Sequence, residues 1–171
     1  MNVHERFKHF EEKHCWQYEV RQQNLSADLE AANLTEETAS SLQVADFDFS
    51  YVNKTDKEGC QEVKRFIERH EWLGKLPNRP THRFTARLRG NTGPLAGVVV
   101  MAVPNAFSKL LGDDTQHIEK LVSRGACISW SPKNLASWLI MKSVRWMVKN
   151  TDFRLFTAYS DPEAKELGTV Y

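Results

Sequence analysis

The sequence predicts an α/β domain (α+β in its segregated parts), a mixed sheet around a central β-α-β unit preceded by an extra helical segment. Three observations carry this. "EKLVSRGACISWS", "PKNLASWLIMKSVRWMVKN" and "FRLFTAYS" follow one another as strand, long helix and strand over 119–130, 132–149 and 153–159. That order makes the two strands parallel and the crossover right-handed. "HRFTARLRGNTGPLAGVVVMAVP" is a pair of apolar-rich runs joined by Arg89-Gly90-Asn91-Thr92-Gly93, an antiparallel hairpin signal whose turn residues tolerate positive φ. "VADFDFSYVN", beginning at Val44, sets Phe47, Phe49 and Tyr51 against Asp46, Asp48 and Ser50, the period-two pattern of a half-buried first strand.

Taken in order, residues 5 to 23 are loosely helical. Leu25-Ser26-Ala27-Asp28 reads as a restart capped by Ser26, and Thr35 with Glu37 and Thr38 as a second helix start. After the first strand, Lys57 to Trp72 places Cys60, Val63, Phe66, Ile67 and His70 on one face at helical spacing, and Gly74 with Pro77 stops it. The hairpin comes next, then a loop through 105–116 and the β-α-β unit. The unit's helix has Pro132 in its first turn and Leu135, Leu139, Val144, Trp146 and Met147 inward. Asp161-Pro162 then caps and opens a last helix. Residues 1–44 form a helical extension, and 45–171 form the domain proper.

At 171 residues and 41% apolar content the chain has material for one well-cored domain. The longest apolar run, 95–103, is about half of what a membrane-spanning helix needs, and the N-terminus carries charges where a signal peptide is apolar. A cytoplasmic protein without membrane association is expected. Cys15, Cys60 and Cys127 are odd in number and lack metal-ligand spacing, so no metal is expected. Residues 1–62 carry 6 Lys and Arg against 13 Asp and Glu, a net of −7, whereas 63–171 carry 17 against 9, a net of +8. A basic core suits an anionic ligand such as a nucleotide cofactor or a nucleic acid. Arg79, Arg83, Arg87 and Arg89, with His82, form a basic run whose alternate members can follow a phosphate backbone. Trp130 reads as core by spacing, and its place at a strand end also offers a platform for an extruded base.

The segments "SRGACISWSPKNLASWLI" and "YSDPEAKELGTVY" resemble the phage Mom family, which modifies adenine in DNA. The order of elements over roughly 46–171 is similar to the GNAT acyltransferase fold. The resemblance rests on the Ser123-Arg124 pair, on Asp161-Pro162 following Tyr159, and on Gly168-Thr169 leading to Tyr171. It implies acetyl-CoA where the fourth and fifth strands splay, with its pyrophosphate at the N-terminus of the helix beginning near Pro132. It implies an adenine exocyclic amine flipped out of the duplex as acceptor. It also implies functional roles for Arg124, for Asp161 as general base and for Tyr171 as general acid. The segment "SPKNLAS" contains no glycine, so the phosphate grip passes to helix N–H groups with Ser131, Lys133 or Asn134. Ser123 is placed against the donor, and local DNA contact falls to Arg79, Arg83, Trp130 and Lys133. Glu71-Trp72 stands where the family shows a His-Tyr pair. Two further strands of the fold are expected beyond Tyr171, so a dimer or a partner strand is expected to complete the sheet. The alternatives are a GNAT acetyltransferase acting on a small-molecule or protein amine, and a non-catalytic interaction module.

Overall fold

The computed structural model describes residues 15–89 and 92–166. Helix α1 (Trp16–Ala31) starts at Cys15, whose Sγ accepts the Tyr18 N–H at 3.3 Å. It runs unbroken through Ser26, where a restart was predicted. Ser26 lies on the exposed side, so its hydroxyl is solvated and does not draw on the helix backbone. Helix α2 (Glu36–Ser40) begins as expected, with Thr35 and Thr38 forming a reciprocal cap. Val44–Asp46 is a 3₁₀ turn rather than strand, because Asp46 accepts the Gln43 N–H and closes the chain on itself.

The sheet follows the predicted order. β1 (Phe47–Val52) leads to α3 (Lys57–His70), then β2 (Pro80–Leu88), β3 (Leu95–Ala102), β4 (Glu119–Cys127), α4 (Leu135–Asn150) and β5 (Leu155–Ala158). The strands lie side by side as β1-β2-β3-β4-β5, antiparallel except for the parallel β4–β5 pair. The two long helices cover opposite faces. Trp146 of α4 meets Phe84 of β2 at 5.4 Å and stacks on Tyr51 of β1 at 4.1 Å. Arg87, three residues along β2 and so on the other face, pairs with Glu62 of α3. Close packing of α4 explains Gly97, where a Cβ would stand 3.0 Å from Leu139 Cδ2. Leu29 and Ala39 of the N-terminal helices, with Leu42 just after them, join the same core as Val63, Ile67, Phe84, Val100 and Leu139.

Further boundaries depart from the sequence reading; β5, for one, is confined to Leu155–Ala158 where 153–159 was expected. β4 ends at Cys127, because Ile128–Ser131 closes into a turn through the Ser131 N–H to Ile128 O bond. Pro132 precedes α4 instead of entering its first turn; the Leu135 N–H reaches back to Pro132 O, and Arg21 holds Ser131 out of helical register. Beyond β5, 162–165 form a turn ended by Lys165 at φ 59°, not the start of a regular helix. Its continuation, with Gly168, Thr169 and Tyr171, lies outside the described residues. No helix among the described residues is long and apolar enough to cross a membrane.

Glu119, 1% exposed at the start of β4, ties the β3–β4 loop to the sheet. Its carboxylate accepts from Ser108 N–H, from the Thr115 hydroxyl at 2.7 Å and from the Thr157 hydroxyl. Burial pushes its pKa up, but these donors together outweigh burial and hold it below the usual glutamate value. A depressed carboxylate contributes stability above its unfolded-state pKa and loses it as pH falls through the folded-state value. Glu119→Ala is therefore expected to cost about 3 kcal/mol in urea unfolding at neutral pH. The loss should shrink on acidification below the ordinary glutamate range; a cost independent of pH would show that the charge contributes nothing.

Candidate active site

The site is built around an irregularity in β4. Val100 of β3 pairs with Arg124 and its neighbour Met101 with Val122, so Ser123 is an extra residue, a β-bulge. Bulges re-aim side chains and recur beside active sites. Pairing with β5 also stops here. It runs from Glu119↔Leu155 to Val122↔Ala158, while β4 continues to Cys127 without β5 beside it. Gly125 in this free stretch is exposed. The fourth and fifth strands thus separate beside the Ser123-Arg124 pair.

A cleft of about 550 Å³ opens at this point, lined by Ser123, Arg124, Tyr159, Asn78, Asn105 and Lys75 among others. Arg124 is held by its own neighbourhood: Nε donates to Lys75 O at 3.1 Å and NH1 to Ser123 O at 2.7 Å. Glu71 stands behind this wall, 7% exposed, and its Oε2 accepts the N–H groups of Leu73 and Gly74. Burial raises its pKa and the Arg124 charge pulls it back down. Glu71 thereby shapes the turn at Gly74, φ 61°, that brings Lys75 O to Arg124. In the sequence this residue was visible only as the occupant of the place of a His-Tyr pair; its link to Arg124 spans 53 positions.

A second opening, about 540 Å³, lies at the entrance to α4 between Leu25, Leu42, Ser131 and Lys133. Asn134 precedes the helix without a side-chain cap bond, and since Pro132 O takes the Leu135 N–H, Ala136 and Ser137 supply the first-turn N–H groups that no side chain caps. Lys133 and Asn134 are exposed, while Ser131 is buried with its oxygens accepting from Arg21 at 3.3 Å. The structure therefore brings Ser131, Lys133 and Asn134 together at the helix start and sets Ser123 apart at the cleft. Asp161, near Arg124 in neither sequence nor hydrogen bonding, caps the turn after β5 by accepting the Glu163 N–H at 2.9 Å. Tyr171 lies outside the described residues.

The four residues expected to touch DNA are not gathered on one surface. Arg79 and Arg83 stand where β2 starts, and Trp130 and Lys133 follow the far end of β4. Arg79 donates to Pro104 O, and Arg83 is half-buried with Nε unpartnered. Trp130 is 5% exposed; it packs on Phe47 and donates from Nε1 to Asp28 O, so its ring has no face for a base. Among the described residues no cluster of three or more His, Cys, Asp or Glu is placed to hold a metal. The Cys127 thiol, fully buried, is pushed up to about 11 and is inert at neutral pH.

No family model matches the chain, and no curated protein sequence matches it. Two solved structures are similar. One is an aminoglycoside acetyltransferase from an uncultured soil metagenomic sample, in complex with sisomicin: TM-score 0.48, 13% identity, over 68% of this chain and 79% of that one. The other is the aminoglycoside N-acetyltransferase AAC(6')-Iy in complex with CoA: TM-score 0.44, 15% identity, over 68% and 81%.

The opening at the start of α4 is framed by Leu25 and Leu29 of α1, which is fastened through Asp28. This carboxylate, 3% exposed, accepts from Arg69 at 2.9 Å and from the Ser129 hydroxyl at 2.8 Å, with His70 Nδ1 at 3.6 Å. Asp28→Ala removes the partner of a buried His70 and of Ser129, and is expected to lower stability by about 3 kcal/mol. Arg69→Ala, which removes a half-exposed guanidinium, should cost no more than about 1 kcal/mol. Denaturant titration of both variants checks this ranking, and equal losses would contradict it.

Proposed function

We propose that this chain transfers an acyl group from an acyl-CoA, acetyl-CoA in the first place, to an exocyclic amine, adenine N6 in DNA, in the manner of the phage Mom family. The observation that carries the reading is the coincidence of the β4 bulge, the loss of the β5 partner and the cleft, all at Ser123-Arg124, the pair on which the resemblance rests. The acceptor follows from charge. Among the described residues the cleft is lined by Lys75 and Arg124 and by no carboxylate. A polycationic amine meets like charge there, whereas a neutral aromatic amine carried on an anionic backbone does not.

The residues at the start of α4 fit the cofactor. The uncapped first-turn N–H groups and the exposed Lys133 suit a pyrophosphate, with Asn134 beside them. When bound, acetyl-CoA supplies the activated acyl thioester. The chain's own part is to bind the acceptor beside Arg124, to take one proton from its amine and to return one to the departing thiolate. Asp161 is the candidate for the first transfer: its Oδ1 caps the turn, and Oδ2 makes no hydrogen bond among the described residues. Tyr171 is assigned the second from the resemblance. The reading places the protein in the cytoplasm, the host's if it is phage-encoded. A partner strand, from a second copy, would extend the sheet beside β5.

Nucleoside mass spectrometry of plasmid DNA from cells expressing the chain tests the proposal. A heavier deoxyadenosine is expected, reduced about 100-fold by Arg124→Ala. Asp161→Asn keeps an oxygen for the Glu163 N–H while removing the base, so it should fold normally and lose modification. Retained modification would remove Asp161 from the chemistry, and unmodified DNA from folded protein would sink the DNA reading.

A further inference from the structure

We infer that the cleft beside the β4 bulge is a nucleobase pocket in which Tyr159 stacks on the ring and Asn78 and Asn105 read its hydrogen-bonding edge. The inference rests on the proposed acceptor class and names the residues that would select it. Tyr159 follows β5 directly and is 63% exposed, although it forms part of the cleft wall. A large aromatic left this open has apolar area to cover, and a planar heterocycle covers it at low conformational cost. Trp130, the aromatic that sequence suggested for this task, is committed to the core, whereas Tyr159 is not.

The polar part of the cleft points the same way. Asn78 and Asn105 come from two different loops, one before β2 and one after β3, and meet on the same cleft. Neither side chain has a hydrogen-bond partner among the described residues, and both are exposed. An amide offers one acceptor and two donors in a plane, which complements a base edge that alternates ring nitrogen and exocyclic amine. In adenine the N6 amine is flanked by acceptors N1 and N7, so two amides approaching from two loops can hold the ring on both sides of the reacting nitrogen. A thymine edge offers carbonyl oxygens and one N–H instead. Leu76 and Pro77 supply apolar wall to the same cleft, and the volume lies within the usual range for small-ligand sites.

Short single strands remove the cost of flipping from the measurement. The full chain is titrated, by fluorescence anisotropy, with a labelled thymidine strand carrying one central deoxyadenosine and with the all-thymidine strand. The wild-type chain is expected to prefer the adenine strand. Tyr159→Phe should bind within about twofold of it, and Tyr159→Ala should lose roughly 5- to 150-fold. Asn78→Ala and Asn105→Ala should each reduce the preference for adenine over thymine while leaving binding of the all-thymidine strand unchanged. Tyr159 is exposed, so its variants should unfold at the wild-type temperature, which separates loss of binding from loss of fold. Undiminished binding by Tyr159→Ala, or a wild-type chain that does not distinguish the two strands, overturns the inference. Calorimetric titration with CoA tells this failure from that of the transferase reading. CoA binding without base preference removes the pocket and leaves the transferase, whereas base preference without CoA binding supports the pocket and removes the transferase.

Discussion

The buried carboxylate of Asp28 holds three parts of the chain in one place, the walls of the opening at the start of α4 among them. Moving a carboxylate out of water is costly unless charge and hydrogen bonds replace the solvent. Here Arg69 of α3 and the Ser129 hydroxyl of the loop after β4 do so, and the Asp28 backbone oxygen accepts Trp130 Nε1. Arg21, two turns earlier on α1, donates to Ser129 O and Ser131 O. The start of α4 and the end of α3 are thereby fixed against the same helix. Since α3 ends at the turn whose Lys75 carbonyl orients Arg124, the brace reaches the cleft as well. The neighbouring His70 is pushed below its ordinary pKa by burial, although Asp28 opposes the shift. Protonation on acidification therefore works against the packed arrangement as pH falls below the usual histidine value.

A sheet that loses a neighbour in mid-strand exposes backbone N–H and C=O groups, which are obligatory hydrogen-bonding groups. β4 does this after Val122, when β5 ends at Ala158. The described residues of β4 do not close the gap with side chains. Gly125 carries none and stays exposed, Ser123 bulges, and Arg124 is drawn aside to Lys75 O. The first half of β4, by contrast, is firmly held: Glu119 binds both the preceding loop and Thr157 of β5, and Lys120 lies 4.3 Å from the Phe153 ring. Rigidity at one end of the strand pair permits separation at the other.

Periodicity made the strands and long helices legible, because alternation and the 3.6-residue repeat report burial directly. Phe47, Phe49 and Tyr51 against Asp48 and Ser50, or Val63, Ile67 and His70 on α3, needed no knowledge of partners. The boundaries that moved were those decided by distant side chains. Pro132 looked like a helix start until Arg21, on another element, held Ser131; Ser26 looked like a cap although its side of α1 faces water. The cleft was legible in part. Ser123 and Arg124 were marked by resemblance, but the bulge that aims them arises from pairing with β3, and Asn78, Asn105 and Tyr159 come from three separate segments with no common spacing. Trp130 failed as a platform for the same reason, since only the fold shows Phe47 against it.

The opposite charges of the two halves of the sequence become intelligible along β2. At its end, the acids of the first 62 residues are used on the arginines of the remainder: Glu62 pairs with Arg87, Asp46 lies 4.0 Å from Arg89, and Asp28 takes Arg69. At its start, Arg79 and Arg83 form no ion pair among the described residues, nor does Lys120, whose pKa is lowered by burial and by Arg79. Arg124 and Lys75 add to this end, where the cleft opens. The overall charge near zero therefore hides an uneven pairing, in which the arginines at the end of β2 have acidic partners and those at its start have none among the described residues. Unpaired charge of this kind acts locally, since screening confines it to about a Debye length. Of these acids only Asp28 lies on an N-terminal helix; Asp46 comes from the 3₁₀ turn before β1 and Glu62 from α3.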